Sequence, residues 1–269
     1  MYTEKKLPKI VLSFDDGRKD NYRIAINILE PRKLGATFNI TTGYIDGSLS
    51  DRNCITPNPA MSIQEIKRLY QNNLFEIAGH GDSHLNTRSD WMAGVEKLKL
   101  WLGNEWYANG IGIASPHSAI TYADELCNKE NWKNTEVKYI RLGLTNQKEF
   151  TQKIFSKSLR IIKSPLLFSL LFNSSCKKIG NDFFVYSVPI LNHHSFDQIY
   201  YLIKKTIAMK KDCILMFHSI LKKGEANENS MWSWDYDKFE KLCDKITELR
   251  EQNQIAVIST IEALKNKDR

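Results

Sequence analysis

The sequence predicts a single α/β domain: a distorted (β/α) barrel of seven or eight parallel strands, TIM-like in plan. Three observations carry that expectation. Apolar runs of strand length alternate with segments of helical period along most of the chain, the pattern of parallel strands joined by helical crossovers. Three of those runs end in carboxylates or imidazoles: Lys9–Phe14 meets Asp15-Asp16-Gly17, the run 74–78 meets His80-Gly81-Asp82-Ser83-His84, and Cys213–Phe217 meets His218. Parallel α/β folds carry their sites at the carboxyl ends of strands. No repeat, low-complexity tract or linker divides the 269 residues, so 1–269 reads as one domain with enough apolar content, 42%, for one buried core.

The elements follow in order. Lys9–Phe14 is a strand. Residues 22–34 have helical period, with Ile24, Ile28 and Leu29 on one face; Pro31 kinks or shortens that helix, and Gly35 stops it. Ala36–Ile40 is the next strand. Ser62 caps a helix over 63–72, with Glu65 three residues on to complete a capping box. A strand over 74–78 precedes a helix over 90–102. Strands follow at Ile111–Ala114, Val137–Leu142 and 183–188. A helix over 197–210 leads to the strand Cys213–Phe217. A long helix over 235–252, a strand over 255–259 and a short helix over 261–265 close the chain. Residues 41–59 and 144–180 read as largely irregular, with a helix pair inside the apolar stretch 159–172. Both lie downstream of strand ends, where loops shape substrate binding.

Charge and cysteines narrow the function classes. The net charge of +7 is spread over isolated lysine pairs such as Lys177-Lys178 and Lys210-Lys211. Dispersed pairs describe a solvated surface, and no nucleic-acid partner is expected. The charge remains compatible with an anionic sugar substrate. The five cysteines contain no Cys-x-x-Cys pair, which argues against a disulfide or zinc-ribbon framework and for a reducing compartment. The first residues show no apolar leader and no run is long enough for a membrane span, so a cytoplasmic location is expected. His193-His194 reads as a surface or edge pair.

The chemistry lies in the three strand ends. Two histidines four apart, His80 and His84, can converge on one ion from a single helical turn. The glutamate that metalloproteases place after the first histidine is here Gly81, so the base must come from elsewhere. Adjacent side chains on an extended segment point to opposite sides, so one of Asp15 and Asp16 can bind metal while the other faces water. Zinc is the default for such an N2O set, with another first-row divalent ion as substitute. His80-Gly81-Asp82 also fits the spacing of a non-haem iron triad, but that reading leaves Asp15, Asp16 and His218 unused. Trp232 and Trp234 would suit stacking against a sugar ring; core packing at the start of the helix over 235–252 explains them equally well.

Together these segments resemble the polysaccharide deacetylases, also called the NodB-homology family or carbohydrate esterase family 4. The resemblance is strongest at Phe14-Asp15-Asp16-Gly17 and His80–His84, and weaker at His218. It implies that Asp15 is the general base, that Asp16, His80 and His84 hold one divalent ion, and that His218 protonates the leaving amine. Met216 and Leu215 would line a pocket for the acyl methyl. Family members often carry Arg-x-Pro-Tyr where this chain has Ala114-Ser115-Pro116-His117, so an arginine is missing at Ala114 and His117 replaces an aromatic residue. Arg141 looks like the replacement for that arginine, and Pro116 and His117 fall with the substrate-binding residues. The carboxylate that orients the acid histidine has no clear counterpart; Asp182 and Asp197 are the candidates. The implied function is metal-dependent hydrolysis of an N-acetyl group on an amino sugar, oligosaccharide or polysaccharide. The alternatives are deformylation, O-acetyl ester hydrolysis or cyclic-amide opening on the same scaffold, or a degenerate carbohydrate-binding protein.

Overall fold

Strand β1 (Lys9–Phe14) divides inside from outside along its length. Ile10, Leu12 and Phe14 join the main apolar cluster, while Val11 joins a separate small one with Tyr139, Val185, Ile214 and two residues of the closing helix Thr260–Lys265. This is the period-two alternation of a strand. The even positions pack against the surrounding helices, and the odd positions face the interior of a barrel.

The computed structural model describes residues 6–49, 58–118, 125–143, 163–180 and 182–265. Strands β1, β2 (Ala36–Ile40), β3 (Phe75–Gly79), β4 (Ile111–Ala114), β5 (Val137–Leu142), β6 (Phe184–Pro189) and β7 (Cys213–Phe217) are neighbours in sequence order. β7 pairs in parallel with β1 from Ile10↔Cys213 to Phe14↔Phe217 and closes the barrel. A parallel ribbon, β8 (Ser219–Leu221) with β9 (Ser233–Asp235), stands past β7. The short strand β10 (Ala256–Val257) adds to the start of β1. The predicted (β/α) barrel is therefore the observed one, with seven strands in the closed ring.

Helices differ from expectation at definable points. The segment expected over 22–34 begins earlier, as Lys19–Ile24, and widens into a π-helical turn at Ala25–Leu29 just before Pro31. The capping box at Ser62 is formed, with the Glu65 N–H on the serine hydroxyl and the Glu65 carboxylate on the Ser62 N–H. Of the apolar stretch 159–172, the helix Pro165–Phe172 is described, with Ser164 as its cap, and residues before 163 lie outside the described range. Short helical turns such as Thr42–Asp46, and the β8–β9 ribbon, were not expected from periodicity. His194 is buried against Phe168 and Phe172 and is not at a surface edge. Its Nδ1 accepts the Leu191 N–H, and its carbonyl accepts the Trp234 indole. Cys176, Cys213 and Cys243 are buried free thiols. No described helix is long and apolar enough to cross a membrane.

Candidate active site

The barrel interior changes character from its floor to its mouth. On β5, Tyr139 sits in the floor, its ring among apolar side chains and its hydroxyl donating to buried Glu76, and Arg141, two residues on, is an interior cation. On β1, Val11 gives way to Ser13, and the next interior position is Asp15. Asn39 of β2 ties these together, its amide donating to Ser13 Oγ, to the Phe14 carbonyl and to Asp15 Oδ1 at 2.8 Å. Arg141 Nη2 donates to Asp15 Oδ2 at 2.6 Å, and its Nη1 to Ser187 Oγ of β6 at 3.1 Å. Asp15 is thus gripped from two strands.

The chain then turns at Asp16. Its φ of 76°, followed by 86° at Gly17, breaks the extended geometry. The two adjacent carboxylates were expected on opposite sides of a strand. They instead line one recess, together with Arg18, His80, His84, Ser115, His117, Met216, His218 and Trp232. His80 and His84 also reach it by a different route from the helical turn expected of their spacing. They lie on a loop with left-handed residues at Gly81 and His84, φ 80° and 60°. Asp90, in the first turn of the helix Arg88–Leu102, holds that loop by accepting the N–H groups of Ser83 and Leu85 at 2.7 and 2.9 Å. A side chain at Gly81 would place its Cβ 2.4 Å from Asp90 Oδ2.

Three ligand atoms converge there. Asp16 Oδ1 is 3.5 Å from His80 Nε2 and 3.5 Å from His84 Nε2, and the two imidazole nitrogens are 3.3 Å apart. Donors 2.0–2.1 Å from a tetrahedral zinc ion stand about 3.4 Å from one another. The spacing therefore fits one ion of that size. Asp16 Oδ1 is buried with no hydrogen-bond partner among the described residues, an expensive condition for a carboxylate oxygen unless a cation meets it. His80 Nδ1 faces the Ala114 carbonyl at 2.9 Å, which leaves Nε2 for the ion.

Burial and charge compete at each titrating group. Burial alone would raise Asp15, but Arg141 foremost, then His80 and His218, hold it below the usual carboxylate value. Burial is likewise outweighed at Asp16, where Arg18 above all drives the carboxyl well down. Burial, then His80, pushes His84 to about 3. Burial lowers His218 to about 4, against the pull of Asp16 and Asp15.

This geometry can be set against known proteins. The family model for polysaccharide deacetylase matches residues 3–165. The chain belongs to that family. His218 lies beyond the matched span and is joined to the family site by the structure, its Nε2 4.0 Å from Asp15 Oδ2. No curated protein matches the chain. Among solved structures, a Mycobacterium smegmatis protein provisionally assigned to the polysaccharide deacetylases aligns over 97% of this chain and 90% of its own, at 9% identity and a TM-score of 0.58. The Xyl-CE4 domain of a multidomain xylanase from the hindgut metagenome of Trinervitermes trinervoides aligns over 96% and 90%, at 13% identity and a TM-score of 0.48. The peptidoglycan deacetylase PdaC of Bacillus subtilis, as a D285S mutant, aligns over 97% and 92%, at 10% identity and 0.48. At these identities the first likeness is one of fold.

Measured against the family pattern, the deacetylase fold gathers most of the expected residues. Asp15, Asp16, His80, His84, His117, Met216, His218 and Trp232 line the recess, and Arg141 lies behind Asp15. Trp232 packs 4.5 Å from the His218 ring and is half-buried. Trp234 is a correction: it is buried in the core beside Phe217, which leaves it no sugar-facing surface. Pro116 is buried, its carbonyl accepting the Asn86 amide. Leu215 belongs to the outer apolar cluster, one position out of phase with Met216, and does not join it in the recess. Asp182 lines a different recess and Asp197 stands in the first turn of the helix Phe196–Ala208, so neither orients His218. The His218 Nδ1 has no hydrogen-bond partner among the described residues. Sequence reasoning passed over Arg18, Asn39, Ser115 and Ser187. Their one available signal was spacing: Asn39 lies two residues past Thr37, the register partner of Ser13, on the same face of β2, and Arg18 lies two residues past Asp16.

Proposed function

We propose that this chain is a metal-dependent hydrolase that removes the N-acetyl group of an amino sugar in an oligosaccharide or polysaccharide. The observation that supports it best is the triangle of Asp16 Oδ1, His80 Nε2 and His84 Nε2, with edges of 3.5, 3.5 and 3.3 Å, beside a separately held carboxylate. A divalent ion bound there, zinc by preference of the donor set, would polarise the acyl oxygen and acidify its water.

The chain's own groups divide the remaining work. Asp15 is the base. Arg141 and Asn39 fix both its oxygens and keep it ionised, ready to take a proton as water attacks. His218 is the acid that delivers a proton to the departing nitrogen. Burial holds its pKa down to about 4, so it rests neutral at pH 7 and the proton it delivers comes from the attacking water by way of Asp15, whose Oδ2 lies 4.0 Å from His218 Nε2. Met216 offers an apolar wall to the acyl methyl, while Trp232 and His117 stand at the recess to meet the sugar. The altered Ala114-Ser115-Pro116-His117 segment motivates the reading of a degenerate binding protein. Arg141 at 2.6 Å from Asp15 supplies the cation that segment lacks and favours the enzyme.

Acetate release from N-acetylated oligosaccharides and nucleotide sugars, before and after exhaustive chelation and zinc addition, tests the proposal. Release that chelator abolishes and zinc restores is expected. Full activity after verified metal removal overturns the metal role. Formate, O-acetyl or lactam substrates turned over in preference to N-acetyl ones would move the assignment to that reaction on the same scaffold.

A further inference from the structure

We propose that Arg18 is a positioning residue that makes Asp16 a one-oxygen metal ligand. The inference rests on the metal reading above and concerns a side chain to which that reading gives no role.

The two oxygens of Asp16 have different surroundings. Oδ2 accepts both Arg18 Nε at 2.9 Å and Arg18 Nη2 at 2.5 Å. Oδ1 accepts nothing among the described residues and faces the two imidazole nitrogens. A carboxylate free to swing about its last bond can chelate an ion through both oxygens. One whose second oxygen carries two charge-assisted hydrogen bonds cannot do so without breaking them. The guanidinium therefore keeps one coordination position from being taken by Oδ2 and leaves it open to water and substrate.

Arg18 is itself fixed. It is 2% exposed, and its backbone bridges to Ala60. Its third nitrogen, Nη1, donates to Ser219 Oγ at 3.1 Å, and that hydroxyl also accepts the Asn58 amide at 2.7 Å. Asn58 Oδ1 in turn accepts the Asn227 amide at 2.8 Å. The chain of contacts runs from the metal ligand through β8 to the loop between β8 and β9. It also accounts for the left-handed Asp16, whose conformation needs an external restraint. Lysine could not replace Arg18, since one ammonium on one flexible stem cannot occupy Oδ2 from two directions and reach Ser219 as well.

The test uses cobalt(II) as the probe, because its visible absorption weakens as coordination rises from four to five or six. Unmodified protein, Arg18→Met and Arg18→Lys are titrated with cobalt(II), and binding affinity and absorption intensity are read together; circular dichroism checks the fold. The expected result is a roughly 10-fold loss of affinity in Arg18→Met, the scale for a lost outer-shell partner, with a weaker absorption band per bound ion. Arg18→Lys should fall between. If Arg18→Met does not fold, Arg18→Lys carries the same comparison. A variant that folds and shows the unmodified affinity and band overturns the role of Arg18. No cobalt binding by the unmodified protein overturns the metal reading instead.

Discussion

At the scale of single residues, the site separates two adjacent aspartates by their partners. Asp15 is held by an arginine from β5 and an asparagine from β2; Asp16 is held by Arg18 and left open toward two histidines. Asp15→Asn keeps the shape and removes the basicity, so metal content should stay near one ion per chain while turnover falls ~100-fold or more. Metal analysis and acetate release on the same sample check both halves. His80→Ala should do the reverse and lose the ion, measured by elemental analysis against the unmodified protein. Arg141 gives a pH signature. Its charge lowers Asp15, so Arg141→Met should raise the Asp15 pKa and move the acidic limb of kcat/KM to higher pH. A limb that stays in place would show that Asp15 is not the base whose ionisation the profile reports.

Secondary-structure elements show what the sequence could and could not reveal. β1, β2, β4, β5 and β7 were legible to the residue because each is an unbroken apolar or alternating run bounded by turn residues, and a closed parallel sheet buries both faces. The Asp16, His80 and His84 cluster was legible as residue types and order, but its geometry was not. Asp16 and His84 adopt left-handed backbone that spacing alone does not announce, and Asp90 reaches the loop from the first turn of a helix, a place where an acidic residue is ordinary. Trp234 was ambiguous because a core tryptophan and a sugar-stacking one look alike until the helix Tyr236–Glu251 is placed beside it. Asp90 is where this scale can be tested. Asp90→Ala removes the acceptor for the Ser83 and Leu85 N–H groups and so loosens the loop bearing both histidines. Metal affinity should fall by about 10-fold, and the melting point should drop by a few degrees, equivalent to ~1–2 kcal/mol. Unchanged affinity in that variant would mean that the helix contributes nothing to holding the ligands.

Across the whole molecule, the mouth of the barrel is polar, and the segments that follow β6 and β7 there are tied down by buried groups that titrate out of their ordinary range. His194 is the clearest of these away from the active-site recess. It sits between the helix Pro165–Phe172 and the start of the helix Phe196–Ala208, and its carbonyl holds Trp234 at the base of the β8–β9 ribbon. Burial, then His193, pushes its pKa from 6.5 to about 3, and its Nδ1 is committed to accepting the Leu191 N–H. The sign of the linkage is fixed by that shift. The unfolded chain takes up the proton near 6.5 and the folded chain resists it until about 3, so the unfolded state binds more protons in between. The contribution of His194 to stability is present above pH 6.5 and is lost as pH falls toward the folded value. Between pH 7 and pH 4.5 the loss is roughly 2–3 kcal/mol from this residue alone. His194→Asn keeps an acceptor for Leu191 and removes the titration. Urea unfolding of both proteins at the two pH values isolates the effect, because every other group is common to both. Asparagine costs packing against Phe168, so the variant should be the weaker protein at pH 7. Its deficit should narrow by roughly 2–3 kcal/mol at pH 4.5. A deficit that is the same at both values would show that His194 takes up its proton in the folded protein, with Leu191 and Phe168 moving aside to admit it.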